Sequence, residues 1–293
     1  MKSTAKNPPL ENAFRAWISA LKGSKSEKTV KKYASALKGF VERYGMYDLS
    51  EIDRFAYGYG ISFCDTKSKR QAFKSAYESF RKFVKTAYRI ELEPLPDDFV
   101  GRIPLKRPSP LSDDEFQALL EEIRELKDTE EEANYKNIST KLMFYLMAFG
   151  GLRSGEVLKV MPSDIRFGIY KGKEYAEIRV RGKGDKERDV LIFEPEAVQY
   201  LKEHVDDFPV SLTQQAFWER LNRLFRRACQ RIGKPYRKIK PHNLRDTCLT
   251  RLANKGIDIR VIQRFAGHSS ITMTQRYIGL TKELYMGELG KAD

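Results

Sequence analysis

The first ninety residues carry apolar side chains at the spacing of amphipathic helices. Two stretches repeat such residues every three or four positions, so that each stretch forms one helix face. The members are Val30, Tyr33, Leu37, Phe40, Val41 and Tyr44 in the first stretch, and Phe73, Tyr77, Phe80, Val84 and Tyr88 in the second. Ser24 and Glu27 match a capping box at the start of the first helix. We predict a helical domain whose core is lined by these two faces.

The composition changes between Glu93 and Pro110, where five of the chain's 12 prolines occur. Proline lacks a backbone amide and disfavours the helix, so this stretch is predicted to be an extended linker. It divides the chain into a helical domain over 1–92, a proline-rich linker over 93–110 and a second domain over 111–293.

The second domain opens with helical signals. Ser112 and Glu115 form a capping-box pattern, and residues 142–149 are apolar on every side, as in a fully buried helix. Gly150 and Gly151 follow, and glycine readily takes the positive φ at which many helices end.

Alternating polarity replaces the helical spacing between residues 165 and 193. Residues 176–180 and 190–192 alternate between apolar and polar, which predicts antiparallel strands with a hairpin tip at 182–185. From residue 196 onward the spacing is helical again. The predicted fold class is therefore mainly α with a small antiparallel β-sheet, in which a helical N-terminal domain precedes an α+β domain.

The charge balance narrows the class of partner. Lys and Arg number 54 against 40 Asp and Glu, which gives a net charge of +14. Such an excess favours a polyanion such as DNA through phosphate contacts, although a merely basic protein would have the same composition. The three cysteines lie far apart and there are only three histidines. This pattern indicates neither a disulfide framework nor a zinc site, so we predict no metal and no cofactor.

The sequence shows no membrane signal. Its first residues lack the apolar core of a signal peptide, and the longest apolar run, 142–152, is too short to span a bilayer. We therefore predict no membrane partner and a location in the reducing cytoplasm.

Two motifs of the second domain could bind a phosphate. Arg153 directly follows the buried helix, where Glu156 could orient its guanidinium, although an ordinary surface ion pair is the alternative. His242 and Arg245 stand one turn apart in a helix opened by Pro241, where free backbone amides favour an oxyanion. Alone, such a His–Arg pair is more often structural.

A helix–turn–helix outline follows these motifs. Asp258 can cap a helix that Gly267 ends, His268 falls in the turn, and a short helix from about Ile271 carries Tyr277. By itself this outline suits a DNA-binding regulator, in which Tyr277 would be a packing residue.

Taken in chain order, these residues resemble the motifs of the tyrosine recombinases, the integrase family. That family carries an Arg in a G-L-R-x-x-E context, a Lys on a β-hairpin, an H-x-L-R helix, a G-H turn and a Tyr about one short helix later. The matching positions are Arg153, Lys183, His242, Arg245, His268 and Tyr277. The hairpin at 181–188 is similar to the G-K-G-x-K-x-R pattern of the Xer-like branch. The resemblance implies that 111–293 is the catalytic domain and 1–92 a helical core-binding (SAM-like) DNA-binding domain.

The implied activity is site-specific recombination, in which double-stranded DNA is cut and rejoined through a 3′-phosphotyrosine without metal or ATP. Tyr277 would attack the scissile phosphate. Arg153 and Arg245 would neutralise its nonbridging oxygens, and His268 would hydrogen-bond the same phosphate. His242 is the candidate to accept the tyrosine proton, since a neutral imidazole titrates near working pH.

Lys183 would protonate the 5′-oxygen that leaves, but Lys186 stands on the same hairpin tip and is the alternative. Two positions depart from the family pattern. Asp246 follows the H-x-L-R motif where a His is common, and Ala266 replaces the Leu of the usual L-G-H turn. We expect neither change to touch a reacting group.

The resemblance also implies an assembly, a homotetramer on two DNA sites whose neighbours exchange a C-terminal segment. An accessory protein is left open. The apolar residues after Tyr277 suit a short docking helix as well as a loose terminus; they are Leu284, Tyr285, Met286 and Leu289.

Three other functions compete with recombination. A type IB topoisomerase uses similar residues for DNA relaxation alone, but the helical first domain and the Xer-like hairpin favour a recombinase. A helix–turn–helix regulator without catalysis accounts for the charge, but it gives no reason for Arg153, Lys183 and the His242–Arg245 pair. An integrase that binds DNA and no longer cuts it is disfavoured by the complete set of six residues.

Overall fold

The computed structural model describes residues 7–101, 108–127, 132–182 and 187–278. The chain divides into two compact units, Met1–Leu105 and Lys106–Asp293. The finer division into two domains and a linker with boundaries at 92 and 111 stays a prediction. Among the described residues, no helix combines the length and the apolar character needed to cross a bilayer.

The first unit is helical throughout its described part. Its helices are α1 (Leu10–Lys22), α2 (Glu27–Tyr44), α3 (Asp53–Phe63) and α4 (Lys67–Tyr88), with 3-10 turns at Leu49–Glu51 and Asp97–Val100. Trp17 of α1 is buried between two of the other helices, where its ring stacks on Tyr33 with centroids 6.0 Å apart and meets the edge of Phe80 at 5.4 Å. Both predicted apolar faces contribute to this core: Val30, Leu37, Phe40, Val41, Phe73, Tyr77, Phe80 and Val84 are buried.

The predicted cap of α2 was wrong by two residues. The helix begins at Glu27, and Ser26 is its N-cap, with a hydroxyl that accepts a hydrogen bond from the Thr29 amide. A capping side chain reaches an amide two or three residues further on, so Ser26 is in register and Ser24 is not.

The first part of the proline-rich stretch contributes to the core of the first unit. Leu95, Phe99 and Val100 are buried in that core, as is Leu92 just before the stretch. The Pro96 carbonyl accepts a hydrogen bond of 2.7 Å from Nζ of Lys74, a residue of α4. Proline therefore excludes a regular helix in this stretch without preventing burial.

The second unit combines eight described helices with one small sheet. The helices are α5 (Asp113–Arg124), α6 (Glu132–Ala148), α7 (Ser154–Val157), α8 (Pro195–Glu203), α9 (Gln214–Arg231), α10 (Pro241–Asn254), α11 (Ile259–Ala266) and α12 (Ile271–Gln275). The strands are β1 (Ile165–Tyr170), β2 (Lys173–Arg181) and β3 (Glu187–Ile192), which form an antiparallel sheet in the order β1-β2-β3. The predicted fold class, mainly α with a small antiparallel sheet, is confirmed.

The buried helix α6 fixes the start of the loop that carries Arg153. Residues 142–148 are buried, and the chain reverses at Gly151, which has a φ of +61°. A Cβ at Gly151 would approach the Phe265 ring to 3.0 Å, so the position requires glycine for its φ and for space. The predicted helix stop is therefore confirmed.

Candidate active site

Arg245 is held inside the second unit by backbone carbonyls. Its side chain is 0% exposed, and its two Nη atoms donate to the carbonyl oxygens of Gly151 and Ala266, the latter at 2.7 Å. Its Nε is buried and finds no hydrogen-bond partner among the described residues. Because Gly151 lies in the loop after α6 and Ala266 ends α11, the guanidinium joins two elements that are distant in sequence.

Three guanidinium groups surround the single carboxylate of Glu156. Arg153 Nη1 lies 2.8 Å from Glu156 Oε1, Arg188 Nη2 lies 2.9 Å from Oε2, and Arg245 Nη1 lies 4.0 Å from Oε2. The predicted contact of Glu156 with Arg153 is confirmed. Three positive charges against one negative charge leave the cluster with a positive excess, which favours an anion such as a phosphate.

Burial and charge act on the ionisation of this cluster. Burial lowers the pKa of Arg245, the charge of Arg153 lowers it further and Glu156 opposes both effects. The resulting pKa is about 10, so Arg245 remains a cation at neutral pH. Burial would raise the pKa of Glu156, but the hydrogen bonds from Arg188 and from the Arg153 amide outweigh it and lower the pKa to about 2.

We expect acid to unfold this unit partly through Glu156. Its carboxylate has a lower pKa in the folded chain than in the unfolded chain, so its stabilisation is fully present above about pH 4.5 and is lost as the pH falls towards about 2. One pKa unit corresponds to about 1.4 kcal/mol, so the loss is roughly 3 kcal/mol. In Glu156→Gln, the urea midpoint of unfolding should decrease less between pH 5 and pH 3 than in the wild type. Unfolding of this unit can be measured by the fluorescence of Trp218 in a Trp17→Phe background. The exposed control Glu203→Gln should keep the wild-type slope, and an unchanged slope in Glu156→Gln would contradict this role.

A positively charged cleft lies against the cluster. The cleft has a volume of about 1460 Å³, and Glu156 and His268 contribute to its lining. Its cationic lining residues are Arg153, Lys159, Arg179, Arg181, Arg188 and Arg264, and its other acidic ones are Glu187 and Asp189. The described residues contain no group of three or more His, Cys, Asp or Glu side chains placed to hold a metal ion. The cleft therefore offers a basic surface to a polyanion.

His268 lies in the turn after α11, as predicted. Gly267 ends that helix with a φ of +63°, and the His268 side chain is buried, with Nε2 at 3.0 Å from Arg245 Nη2 and Nδ1 at 2.9 Å from Thr274 Oγ1. Burial, and then the charge of Arg245, lower the pKa of His268 to about 4. The imidazole is therefore neutral at physiological pH. Its Nε2 accepts from the arginine, which leaves the ring proton on Nδ1 facing Thr274.

Tyr277 is buried beside His268. It follows α12, which ends two residues earlier at Gln275, and it is 5% exposed. Its ring stacks on His268 with centroids 6.0 Å apart, and its hydroxyl donates a hydrogen bond of 2.7 Å to Asp246 Oδ1. Burial raises the pKa of Tyr277 well above its ordinary value, and the hydrogen bond and charge of Asp246 raise it further. The resting side chain is therefore a neutral phenol.

His242 approaches the same carboxylate oxygen that accepts from Tyr277. Its side chain is 58% exposed, and its Nε2 is 3.6 Å from Asp246 Oδ1. Loss of solvent lowers the pKa of His242; Asp246 opposes this effect and Arg245 adds to it. The structure thus places Asp246, and not His242, at hydrogen-bond distance from the Tyr277 hydroxyl.

The structure brings most of the predicted site residues together. Direct contacts connect Arg245 with His268 and His268 with Tyr277, Glu156 connects Arg153 with this group, and Asp246 lies between Tyr277 and His242. Lys183, with its alternative Lys186, lies outside the described residues; strands β2 and β3 pair as far as Arg181 and Glu187.

Two residues of the site, Arg188 and Asp246, were not predicted from the sequence. Arg188 donates to both Glu156 oxygens and to the Phe265 carbonyl; its signal was its place on β3 on the same face as buried Val190 and Ile192. The expectation that Asp246 touches none of the predicted reacting groups was wrong, because its carboxylate accepts a hydrogen bond from the Tyr277 hydroxyl. Its position four residues after His242 was the available signal.

Comparison with known sequences gives a consistent result. The sequence profile of the phage integrase family matches residues 109–283. The tyrosine recombinase XerA of Pyrococcus furiosus is 31% identical over 271 residues, which are 88% of this chain and 85% of that protein. The tyrosine recombinase XerC of Chlamydia caviae is 29% identical over 236 residues, which are 75% of this chain and 70% of that protein.

Solved structures share the fold. The XerH site-specific recombinase bound to a palindromic difH substrate, in a post-cleavage complex, has a TM-score of 0.65 at 18% identity and covers 98% of this chain and 97% of its own. The Tn1549 transposon integrase in complex with circular intermediate DNA has a TM-score of 0.66 at 17% identity and covers 97% of this chain and 99% of its own.

Proposed function

Because the chain belongs to the phage integrase family of tyrosine recombinases and is a site-specific DNA recombinase, we propose that Tyr277 is the nucleophile with which it cuts and rejoins double-stranded DNA. One observation carries the proposal. The buried Tyr277 ring stacks on His268, whose Nε2 meets a buried arginine of a cluster with excess positive charge. A nucleophile and an anion-binding cluster thus meet in the same part of the second unit.

The arginines supply the stabilisation that a phosphodiester needs during attack. Negative charge builds on the nonbridging oxygens as the Tyr277 oxygen bonds to phosphorus, and fixed cations lower the energy of that state. Arg245 is fixed by backbone carbonyls and Arg153 by Glu156, so neither has to reorganise when the charge develops. His268 orients Arg245 and completes the phosphate site.

Protons must leave the tyrosine and reach the departing 5′-oxygen. We assign His242 as the final acceptor of the phenol proton and Lys183 as the donor to the 5′-oxygen. The products are a 3′-phosphotyrosine and a free 5′-hydroxyl. The phosphodiester bond energy is conserved in the covalent intermediate, so rejoining requires no ATP.

The remaining parts of the chain have roles in the same reaction. Residues 1–92 are assigned as the core-binding domain, 93–110 as the linker and 111–293 as the catalytic domain, in a homotetramer on two DNA sites at the cytoplasmic nucleoid. The predicted docking segment after Tyr277 falls at 279–293, outside the described residues. Relatives named as recombinases do not favour a topoisomerase that only relaxes DNA or a regulator without catalysis.

Covalent capture tests the proposal directly. The protein is incubated with a randomised duplex library in EDTA, quenched with denaturant, and the DNA that stays attached is sequenced. Proteolysis and mass spectrometry of the adduct should place a 3′-phosphate on Tyr277. Attachment to another residue would overturn the assignment, and binding without any attachment would favour an integrase that no longer cuts.

Substitution of the hairpin lysines should identify the general acid. Lys183→Ala should slow cleavage of the captured duplex by roughly 100-fold or more, since proton donation typically contributes this much. A 5′-phosphorothiolate at the scissile position should restore the rate, because a thiolate leaves without a proton. Lys186→Ala is the matched control from the same hairpin tip. Rescue of Lys186→Ala instead would assign the acid to Lys186.

A further inference from the structure

Asp246 provides the nearest proton acceptor to the nucleophile. Its Oδ1 accepts the Tyr277 hydroxyl at 2.7 Å, and the two residues are 7% and 5% exposed. A hydroxyl nucleophile is typically activated by a base within hydrogen-bond distance, which is itself oriented by a third group. Asp246 meets the first condition.

The third group is the backbone amide of Ser109. This amide donates a hydrogen bond of 3.2 Å to Asp246 Oδ2, the oxygen that does not face Tyr277. Ser109 is held in turn by Asn243, whose side-chain amide donates to the Ser109 carbonyl. Two residues later, the Leu111 amide donates to Thr247 Oγ1 at 2.8 Å. The segment 109–111 therefore fixes the carboxylate along one side of α10.

His242 completes a path for the proton. Its Nε2 is 3.6 Å from Asp246 Oδ1, the same oxygen that accepts from Tyr277. The imidazole is largely exposed and can pass a proton to solvent, whereas the buried carboxylate cannot. Asp246 thus lies between a buried proton donor and an acceptor that reaches water.

We propose that Asp246 relays the proton from Tyr277 to His242 during DNA cleavage, an assignment that rests on the function proposed above. As Tyr277 Oη bonds to phosphorus, its proton moves to Asp246 Oδ1 and then to His242 Nε2. The bond from phosphorus to the 5′-oxygen breaks, and that oxygen takes a proton from Lys183. When the DNA is rejoined, each proton returns along the same path.

Asp246→Asn separates a relay from a structural contact. The amide keeps the shape of the side chain but is not a proton acceptor of useful basicity. Asp246 raises the pKa of Tyr277, so its removal should lower that pKa, which 3-fluorotyrosine incorporation can follow by NMR with Tyr277→Phe for assignment. Cleavage should nevertheless slow by roughly 100-fold or more. Equal or faster cleavage would show that Asp246 only restrains the tyrosine, and would overturn the relay.

The pH profile gives a readout that a structural role would not move. In Asp246→Asn the rate should rise about tenfold per pH unit between pH 7 and 9, because an ionised phenolate requires no acceptor. The wild-type rate should change much less. A 5′-phosphorothiolate should leave the Asp246→Asn defect in place, since it bypasses only the donor to the leaving oxygen. Parallel pH profiles, or rescue by sulfur, would contradict the relay.

Two further variants distinguish loss of the relay from a folding defect. Asp246→Glu keeps a carboxylate and should retain the wild-type pH profile. If Asp246→Glu instead showed the steep pH dependence expected of Asp246→Asn, that result would contradict the relay. Asp207→Asn is the control, because Asp207 pairs with His204 Nδ1 at 2.8 Å elsewhere in the same unit, and it should cleave at the wild-type rate. Wild-type protein that never captures DNA would instead reject the proposed function, so the two failures are distinct.

Discussion

Tyr277→Phe should abolish covalent attachment to DNA while leaving DNA binding nearly unchanged. The substitution removes the oxygen that would form the bond to phosphorus. The other groups of the site cannot replace this oxygen, so no covalent intermediate can form. It also removes the hydrogen bond of 2.7 Å to Asp246, so we expect a stability loss of about 1–3 kcal/mol, typical of a buried bond to a charged group. The denatured adduct on a gel measures the first effect, and urea unfolding measures the second.

Tyr145→Phe is a close control for this experiment. The Tyr145 hydroxyl also donates at 2.7 Å to a carboxylate, that of Glu196, and its side chain is buried in the same unit. Removing it should lower stability by a similar amount and leave covalent attachment intact. If Tyr277→Phe still formed the adduct, another residue would be the nucleophile. If the Tyr277→Phe protein were fully folded but no longer bound DNA, a purely catalytic role of Tyr277 would be excluded.

Arg245→Ala should slow cleavage by roughly 100- to 1000-fold or more, the usual effect of removing a fixed donor from a charged transition state. The same change leaves the Gly151 and Ala266 carbonyls without their donor and opens a cavity, so folding will weaken as well. Stability and catalysis must therefore be measured in the same samples, and rates compared at equal folded fraction.

Arg245→Lys separates the two effects. Lysine keeps the charge but lacks the planar guanidinium with which arginine contacts two carbonyls and His268 at once. Cleavage should therefore remain slow even if Arg245→Lys is more stable than Arg245→Ala. The control is Arg220→Lys, because Arg220 is a partly buried arginine of the same unit that donates to Thr140 Oγ1 at 2.8 Å and to Asn137. A wild-type cleavage rate in Arg245→Lys would show that charge alone, without geometry, is sufficient.

Local patterns predicted the elements of this fold because the signals of an element lie within its own sequence. The apolar faces of α2 and α4, the fully apolar α6 and the glycine stops at Gly151 and Gly267 follow from spacing and backbone preference. The cap of α2 failed because two serines stand close together, and only the register of the following amides distinguishes them.

The candidate site depended on contacts that local patterns do not contain. Arg188 meets Glu156 across 32 positions, and Arg245 meets Gly151 across 94. The family motifs predicted which residues to consider, but not that a carboxylate would join Tyr277 to His242. The sequence did not predict a role for Asp246, because that role depends on a contact with a tyrosine 31 positions later in the chain.

The hydrogen bond from Ser109 to Asp246 has a mechanical consequence. The Ser109 amide holds the carboxylate that faces Tyr277, and the Asn243 side-chain amide holds Ser109 in turn. A displacement of segment 109–111 along α10 would therefore move Asp246 relative to the Tyr277 hydroxyl. Loss of the Ser109 contact would remove the backbone donor of Asp246 Oδ2 and leave the carboxylate free to rotate away from the tyrosine.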